Sequence, residues 1–365
     1  MNNMKKIGII LGTRPEIIKL SSIIRYCKEN KFSYFIIHTN QHYSENMDAI
    51  FFKELDLPKS KYNLEIGSGK HGEMTGRMMI KIEEILSKEK PSTVLVQGDT
   101  NTVMAGALVA SKLGIKVGHI EAGLRSYDRS MPEEINRIVT DHISDYLFCP
   151  TNKQADILKK EGIEKKKIFI TGNTVVDAVF ECREIAKKKS HILKQYGLEK
   201  DSFILMTSHR PATVDNRKNL SAIIKAISEI AHKNEKKIVF PIHPRTKKMI
   251  EQFNIRLPKQ FLLIDPVGYL DMLRLQEESF LIITDSGGLQ EESCILEKKC
   301  IVIRENTERP EAVDAGGCML AGNSDVEKII RVTNILLKKD VKWKNPFGNG
   351  NTGKKIANIL QKNIL

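Results

Sequence analysis

Residues 6–30 read "KIGIILGTRPEIIKLSSIIRYCKEN". The apolar run "IGIIL" stops at Gly12, and apolar residues return at helical spacing after Pro15, whose fixed φ suits a first helical turn. Gly12 supplies the tight turn between strand and helix, and Arg14 sits at the strand's end. A strand apolar throughout and followed by a helix belongs to a parallel sheet covered on both faces. The alternation continues through strands "SYFIIHT", "TVLVQ", "KVGHI", "YLFCP" and "KIFITG", and again through "FILMTSH", "KIVFPIH", "FLLID", "FLIITDS", "CIVIRE" and "CMLAG". These runs predict an α/β chain of two Rossmann-like, doubly wound domains, 1–172 and 173–350, facing a central cleft. The "NPFGNGNTG" segment then leads to a last helix within 351–365, expected to pack back on the first domain.

A chain of 365 residues suits two domains at roughly 150 residues each. No apolar run approaches the roughly 18 residues of a membrane span, and "MNNMKK" passes into a strand without a signal-peptide pattern, so the expectation is a cytoplasmic protein with no membrane partner. Six cysteines without a C-x-x-C read as reduced core thiols. The formal charge of +13 comes mostly from scattered lysines without interleaved aromatics, which argues against a nucleic-acid partner. Arginine is scarcer, 15 against 43 lysines, yet Arg14, Arg125, Arg129, Arg137, Arg210, Arg245 and Arg309 all fall in polar segments just after strands. There a planar fork suits phosphate or carboxylate.

Ligands of open α/β sheets bind beyond the carboxyl ends of the strands, and the unusual residues gather in those loops. In "HIEAGLRSYDRSMPEEINR", residues 119–137, eight of nineteen side chains are ionisable. Asp99 in "QGDTN", Glu121 in "HIEAG" and Glu133 with Glu134 put carboxylates at two strand ends and a helix start. Acids at a helix start complement its dipole, which accounts for Glu133 and Glu134 but not for Glu121 between apolar neighbours. "TDSGGLQEE" turns a strand into a helix through Ser286, Gly287 and Gly288, an anion site suited to a diphosphate; Glu292, one turn on, is placed to meet ribose hydroxyls. His209 follows a strand directly and suits a phosphate or acid role as well as a structural one. The literal G-x-G-x-x-G at 67–72 does not follow the first strand, which disfavours NAD, and His38 with His42 straddle a strand end, so no cofactor and no metal are expected.

Together, "GTRPEIIK", "QGDTNTVMAGALVA", "HIEAGLRS", "MPEEINR", "TGNTVVDA", "SHR", "TDSGGLQEE" and "ERPEAV" resemble the non-hydrolysing UDP-N-acetylglucosamine 2-epimerases over nearly the whole chain. The resemblance implies a GT-B-like fold, a UDP-sugar partner held mainly by the second domain, and a homodimer. It implies epimerisation at C2 by elimination and re-addition of UDP. By motif, Asp99, Glu121, Glu133 and His209 match catalytic positions. Arg14, Lys19, Arg137 and Arg309 match partners of substrate or diphosphate, and Ser286, Gly287, Gly288 and Glu292 match the UDP site. Gln41, Arg210 and His243 match a site for a second UDP-sugar, an effector. Relatives usually continue "HR" with x-E-N, whereas Pro211, Ala212 and Thr213 follow Arg210 here. The segments "KHGEMTGRM" and "DPVGYLDML" resemble relatives acting on UDP-2,3-diacetamido-2,3-dideoxyglucuronate. Two readings beside an epimerase are a sugar transferase of the same fold and a UDP-sugar-binding protein without turnover.

Overall fold

A computed structural model describes residues 6–40, 52–340 and 342–364. It contains two all-parallel sheets with helices between their strands. The first consists of β1 (Ile7–Leu11), β2 (Tyr34–His38), β3 (Tyr62–Asn63), β4 (Thr93–Gln97), β5 (Lys116–Ile120), β6 (Tyr146–Cys149) and β7 (Ile168–Ile170), in the order β3-β2-β1-β4-β5-β6-β7. The second consists of β8 (Phe203–Thr207), β9 (Lys237–Pro241), β10 (Phe261–Ile264), β11 (Leu281–Thr284), β12 (Cys300–Val302) and β13 (Cys318–Leu320), in the order β10-β9-β8-β11-β12-β13. The expected doubly wound α/β class is therefore present twice. In each sheet the order reverses beside the first strand, between β1 and β4 and between β8 and β11. Such a switch point leaves a crevice where the flanking loops diverge.

β1, β4 and β8 are buried from end to end, which is why they read as unbroken apolar runs. Tyr62–Asn63 was not expected as a strand. It pairs only with Ile37 and His38, and two residues carry no readable period. The helix Asn101–Lys112 lies close to the sheet because its inward residues are small: a β-carbon added at Gly106 would come within 2.9 Å of Ile10 Cδ1. This close approach fixes the start of that helix beside Asp99.

The chain divides into two compact units, Met1–Ala178 with Phe347–Leu365, and Val179–Pro346. The division falls inside the helix Thr174–Lys189, beyond the loop that the strand pattern marked as the boundary. The last helix, Thr352–Ile364, belongs to the first unit. It buries Ile356, Ala357 and Leu360, each large apolar side chain contributing about 2 kcal/mol. Tyr26 donates to Asn358 at 3.1 Å, and Gly353 lies against Ser22. All six cysteines are buried. Among the described residues no helix is long and apolar enough to cross a membrane.

Candidate active site

At the switch point of the first sheet, the turns after β1 and β4 border a pocket of about 380 Å³, lined among others by Thr13, His71, Asp99, Thr100 and Glu133. Glu16 ties the two turns together. Its buried carboxylate accepts from the Gly12 and Thr13 amides at 2.5 and 2.9 Å and from the Thr100 hydroxyl at 2.5 Å. Burial pushes this carboxyl up to about 7, against the lowering effect of the Thr100 hydroxyl and the two amides; nearby Asp99 adds to the rise. Asp99 reaches out from the β4 turn and receives Arg137 Nη2 at 2.6 Å and Nε at 3.0 Å. Asn136 secures the same turn by donating to the Asp99 carbonyl at 2.9 Å.

Glu121 follows β5 with φ +72°, left-handed backbone that a non-glycine residue rarely adopts. Lys19 Nζ bonds both its carboxylate oxygens, at 2.7 and 2.9 Å; Gln97 at the end of β4 donates to one oxygen and Asn173 to the other at 3.3 Å. Beneath it a buried network braces the loop. His119 lies between Asp141 Oδ1 at 2.7 Å and the Gly98 carbonyl at 2.9 Å, and the other Asp141 oxygen accepts from Gly123 N at 3.2 Å and Arg125 at 2.7 Å. Burial works to raise the Asp141 carboxyl, yet His119 and Arg125 hold it below the usual range. Arg125, one of the arginines that the sequence pattern marks for an anion, is spent on Asp141 and on Glu161.

The neighbouring acids at the start of helix Pro132–Ile143 differ in environment. Glu133 is exposed at the pocket wall. Glu134 is buried and accepts from Ser126 N, Ser126 Oγ and Tyr127 N, each at 2.9 Å, and from Arg137 at 2.5 Å. Burial opposes ionisation of Glu134, but these donors hold its carboxyl below the ordinary value. Helix-dipole reasoning treats the two acids alike. Glu134 instead folds the loop and orients Arg137.

In the second unit Asp285, fully buried after β11, bridges that sheet's switch point. It accepts from the His209 and Arg210 amides at 2.9 Å and pairs with His209 Nδ1 at 3.2 Å. Burial acts to raise its carboxyl, and His209 with the amides keeps it low. Ser286 caps helix Gly287–Ile295, accepting from Leu289 N at 3.4 Å. Gly288 is open, the nearest atom to an added β-carbon being 3.8 Å away, whereas at Gly287 that carbon would meet Glu308 Oε1 at 2.6 Å. Glu308 is held by Arg304 at 2.8 Å and Arg210 at 3.2 Å. Burial resists its ionisation, but Arg304, Arg309 and Arg210 keep its carboxyl down at about 2. Glu292 receives Gln276 at 2.7 Å, and Arg309 Nε is 2.8 Å from Glu291.

The first switch point thus gathers Lys19, Asp99, Glu121, Glu133 and Arg137, with Arg14 half-buried at the first helical position above it. The second gathers His209, Arg210, Ser286, Gly287, Gly288 and Arg309. His243 caps helix Pro244–Gln252 with its ring 5.6 Å from that of His209; burial, followed by His209 and Arg245, lowers its pKa. Gln41 lies outside the described residues. Sequence reasoning did not single out Glu16, Gln97, Asn173, Asp285 or Glu308. All five lie within the loop motifs, and their burial was the missing information.

Two Rossmann-type units in one chain, each with polar loops gathered at its switch point, define a GT-B-like enzyme. The model of the family described as UDP-N-acetylglucosamine 2-epimerase matches residues 25–361, and the chain belongs to that family. A UDP-N-acetylglucosamine 2-epimerase of Methanococcus maripaludis is 56% identical over 363 residues, 98% of each chain. The crystal structure of the Methanocaldococcus jannaschii UDP-GlcNAc 2-epimerase in complex with UDP-GlcNAc and UDP is similar with a TM-score of 0.89 at 55% identity, covering 98% of this chain and 99% of that one. A UDP-2,3-diacetamido-2,3-dideoxy-D-glucuronate 2-epimerase of Pseudomonas aeruginosa is 43% identical over 361 residues, 98% of this chain and 99% of that protein.

Proposed function

We propose that the protein interconverts UDP-N-acetylglucosamine and UDP-N-acetylmannosamine by eliminating UDP and adding it back through 2-acetamidoglucal. One observation carries this reading: carboxylates from three separate elements, Asp99, Glu121 and Glu133, gather at one switch point, and cations hold two of them, Arg137 on Asp99 and Lys19 on Glu121. The C2 proton of the sugar is not next to a carbonyl, so its direct removal is very hard. Elimination removes that proton as the C1–O bond to the diphosphate breaks, and electrons from C2–H form the C1=C2 bond. Re-addition returns UDP to C1 and delivers a proton to the opposite face of C2. Such a sequence needs acid and base groups on both faces of the ring and positive charge for the departing diphosphate. Asp99, Glu121 and Glu133 serve as the acids and bases, with His209 on the nucleotide side. Arg14, Lys19, Arg137 and Arg309 stabilise substrate and leaving group. Ser286, Gly287 and Gly288 cradle the diphosphate at a helix start, and Glu292 takes the ribose.

Elimination and addition leave no net redox change, so this reaction needs no nicotinamide to carry hydride. The same reading makes the protein a cytoplasmic homodimer, with Arg210 and His243 facing an effector. Chromatography of a reaction with UDP-N-acetylglucosamine tests it. The expected products are UDP-N-acetylmannosamine in the wild type, and released UDP with 2-acetamidoglucal in slowed variants such as Asp99→Asn. Transfer of the sugar to an acceptor, or epimerisation only of UDP-2,3-diacetamido-2,3-dideoxyglucuronate, would overturn it.

A further inference from the structure

The first unit is built from two separated stretches of chain, and they meet at one asparagine. Asn173 stands at the start of helix Thr174–Lys189, where the chain leaves this unit. Its amide donates to the Phe347 carbonyl at 2.7 Å, just where the chain returns, and its own carbonyl accepts from Thr352 Oγ1 at 3.4 Å. The Thr352 and Gly353 amides bond Asp177 one turn further on, at 3.1 and 2.9 Å. Gly172, φ +95°, leaves room for this crossing: a β-carbon there would meet Thr352 Oγ1 at 2.8 Å and the Phe347 carbonyl at 3.1 Å. The Asn173 side chain has two jobs. Its Oδ1 accepts from Val175 N at 3.1 Å and closes the turn into the helix, while its Nδ2 points the other way and donates to Glu121 Oε1 at 3.3 Å.

We propose that Asn173 is a positioning residue for Glu121, and that the returning segment 347–352 is part of the catalytic scaffold because it fixes Asn173. The inference rests on the reading of Glu121 as a catalytic carboxylate. Glu121 sits on left-handed backbone, and its buried carboxylate is held by donors from three other parts of the chain. Lys19 supplies charge; Gln97 and Asn173 supply neutral amides, which aim a carboxylate without neutralising it.

Asn173→Asp separates the two jobs. It keeps the acceptor for Val175 N and replaces the donor to Glu121 with a like charge. Two carboxyls this close hold a shared proton to higher pH. The measurement is kcat, KM and the pH profile of epimerisation for the wild type, Asn173→Asp, Gly172→Ala and Glu121→Gln. Asn173→Asp is expected to lose about tenfold or more in kcat with little change in KM, and its pH profile should move up by about one unit. Gly172→Ala, which disturbs only the crossing, should also lower kcat but keep the wild-type pH profile. An Asn173→Asp enzyme with wild-type kcat and pH profile, while Glu121→Gln is inactive, overturns the positioning role alone. Near-native turnover by Glu121→Gln overturns the Glu121 reading itself.

Discussion

Glu133 and Glu134 are adjacent in sequence, yet their removal should produce opposite results. In Glu134→Gln the carboxylate that binds Ser126, Tyr127 and Arg137 becomes an amide. If the amide oxygen keeps Ser126 and Arg137, the new NH2 faces the Tyr127 N–H, donor against donor. Arg137 also loses the negative charge of Glu134 while its pair with Asp99 remains. The Glu134 side chain is 2% exposed, so little screening softens the loss. One lost charge-assisted bond plus one orphaned buried donor amounts to about 2 to 4 kcal/mol. For a unit of this size that lowers Tm by roughly 5 to 15 °C. Glu133→Gln, at the exposed pocket wall, should change stability by less than about 0.5 kcal/mol. It should instead lower kcat by about a hundredfold or more. Thermal unfolding by circular dichroism, paired with kcat on the same preparations, reads both effects. Wild-type Tm in Glu134→Gln, with a kcat loss matching that of Glu133→Gln, would refute the division between a loop-building acid and a reacting one.

Glu16 predicts a pH dependence of stability. Its folded carboxyl titrates near 7 against an ordinary value of 4.5, so between these the folded state binds the extra proton. Its contribution to stability is therefore fully present below about 4.5 and declines as pH rises through 7, by about 3 kcal/mol in total; urea unfolding at several pH values should show this slope in the wild type and not in Glu16→Gln. Gly287→Ala drives a β-carbon against Glu308 and should weaken UDP itself as well as the sugar nucleotide, by about tenfold in calorimetric titration; an effect confined to the sugar would contradict a diphosphate cradle. Asp285→Asn removes the buried charge beneath His209 and should likewise lower UDP affinity, with wild-type affinity as the opposing result. With the usual x-E-N acid absent after Arg210, a reaction started from pure UDP-N-acetylmannosamine should run without a lag, whereas a lag abolished by traces of UDP-N-acetylglucosamine would show that the effector site works.

The fold was legible because strands buried on both faces leave unbroken apolar runs. β1, β4 and β11 did so, and β3, with two residues, could not. The loops of the site were legible because ionisable residues such as Asp99 and Glu121 are out of place directly after core strands. Partnership was not. Asn173 reads as a turn residue and Gln97 as the polar end of a strand, and only their convergence from distant parts of the chain onto Glu121 gives them a role. Likewise Glu308 and Gly287 are far apart in sequence, so the need for glycine at that helix start looked like ligand space alone when it is also packing.

The most direct test of the central claim is the reaction of UDP-N-acetylglucosamine in D2O followed by proton NMR. Elimination and re-addition predict loss of the C2 proton signal and appearance of UDP-N-acetylmannosamine carrying deuterium at C2. Epimerised product that retains its original C2 proton would contradict the mechanism.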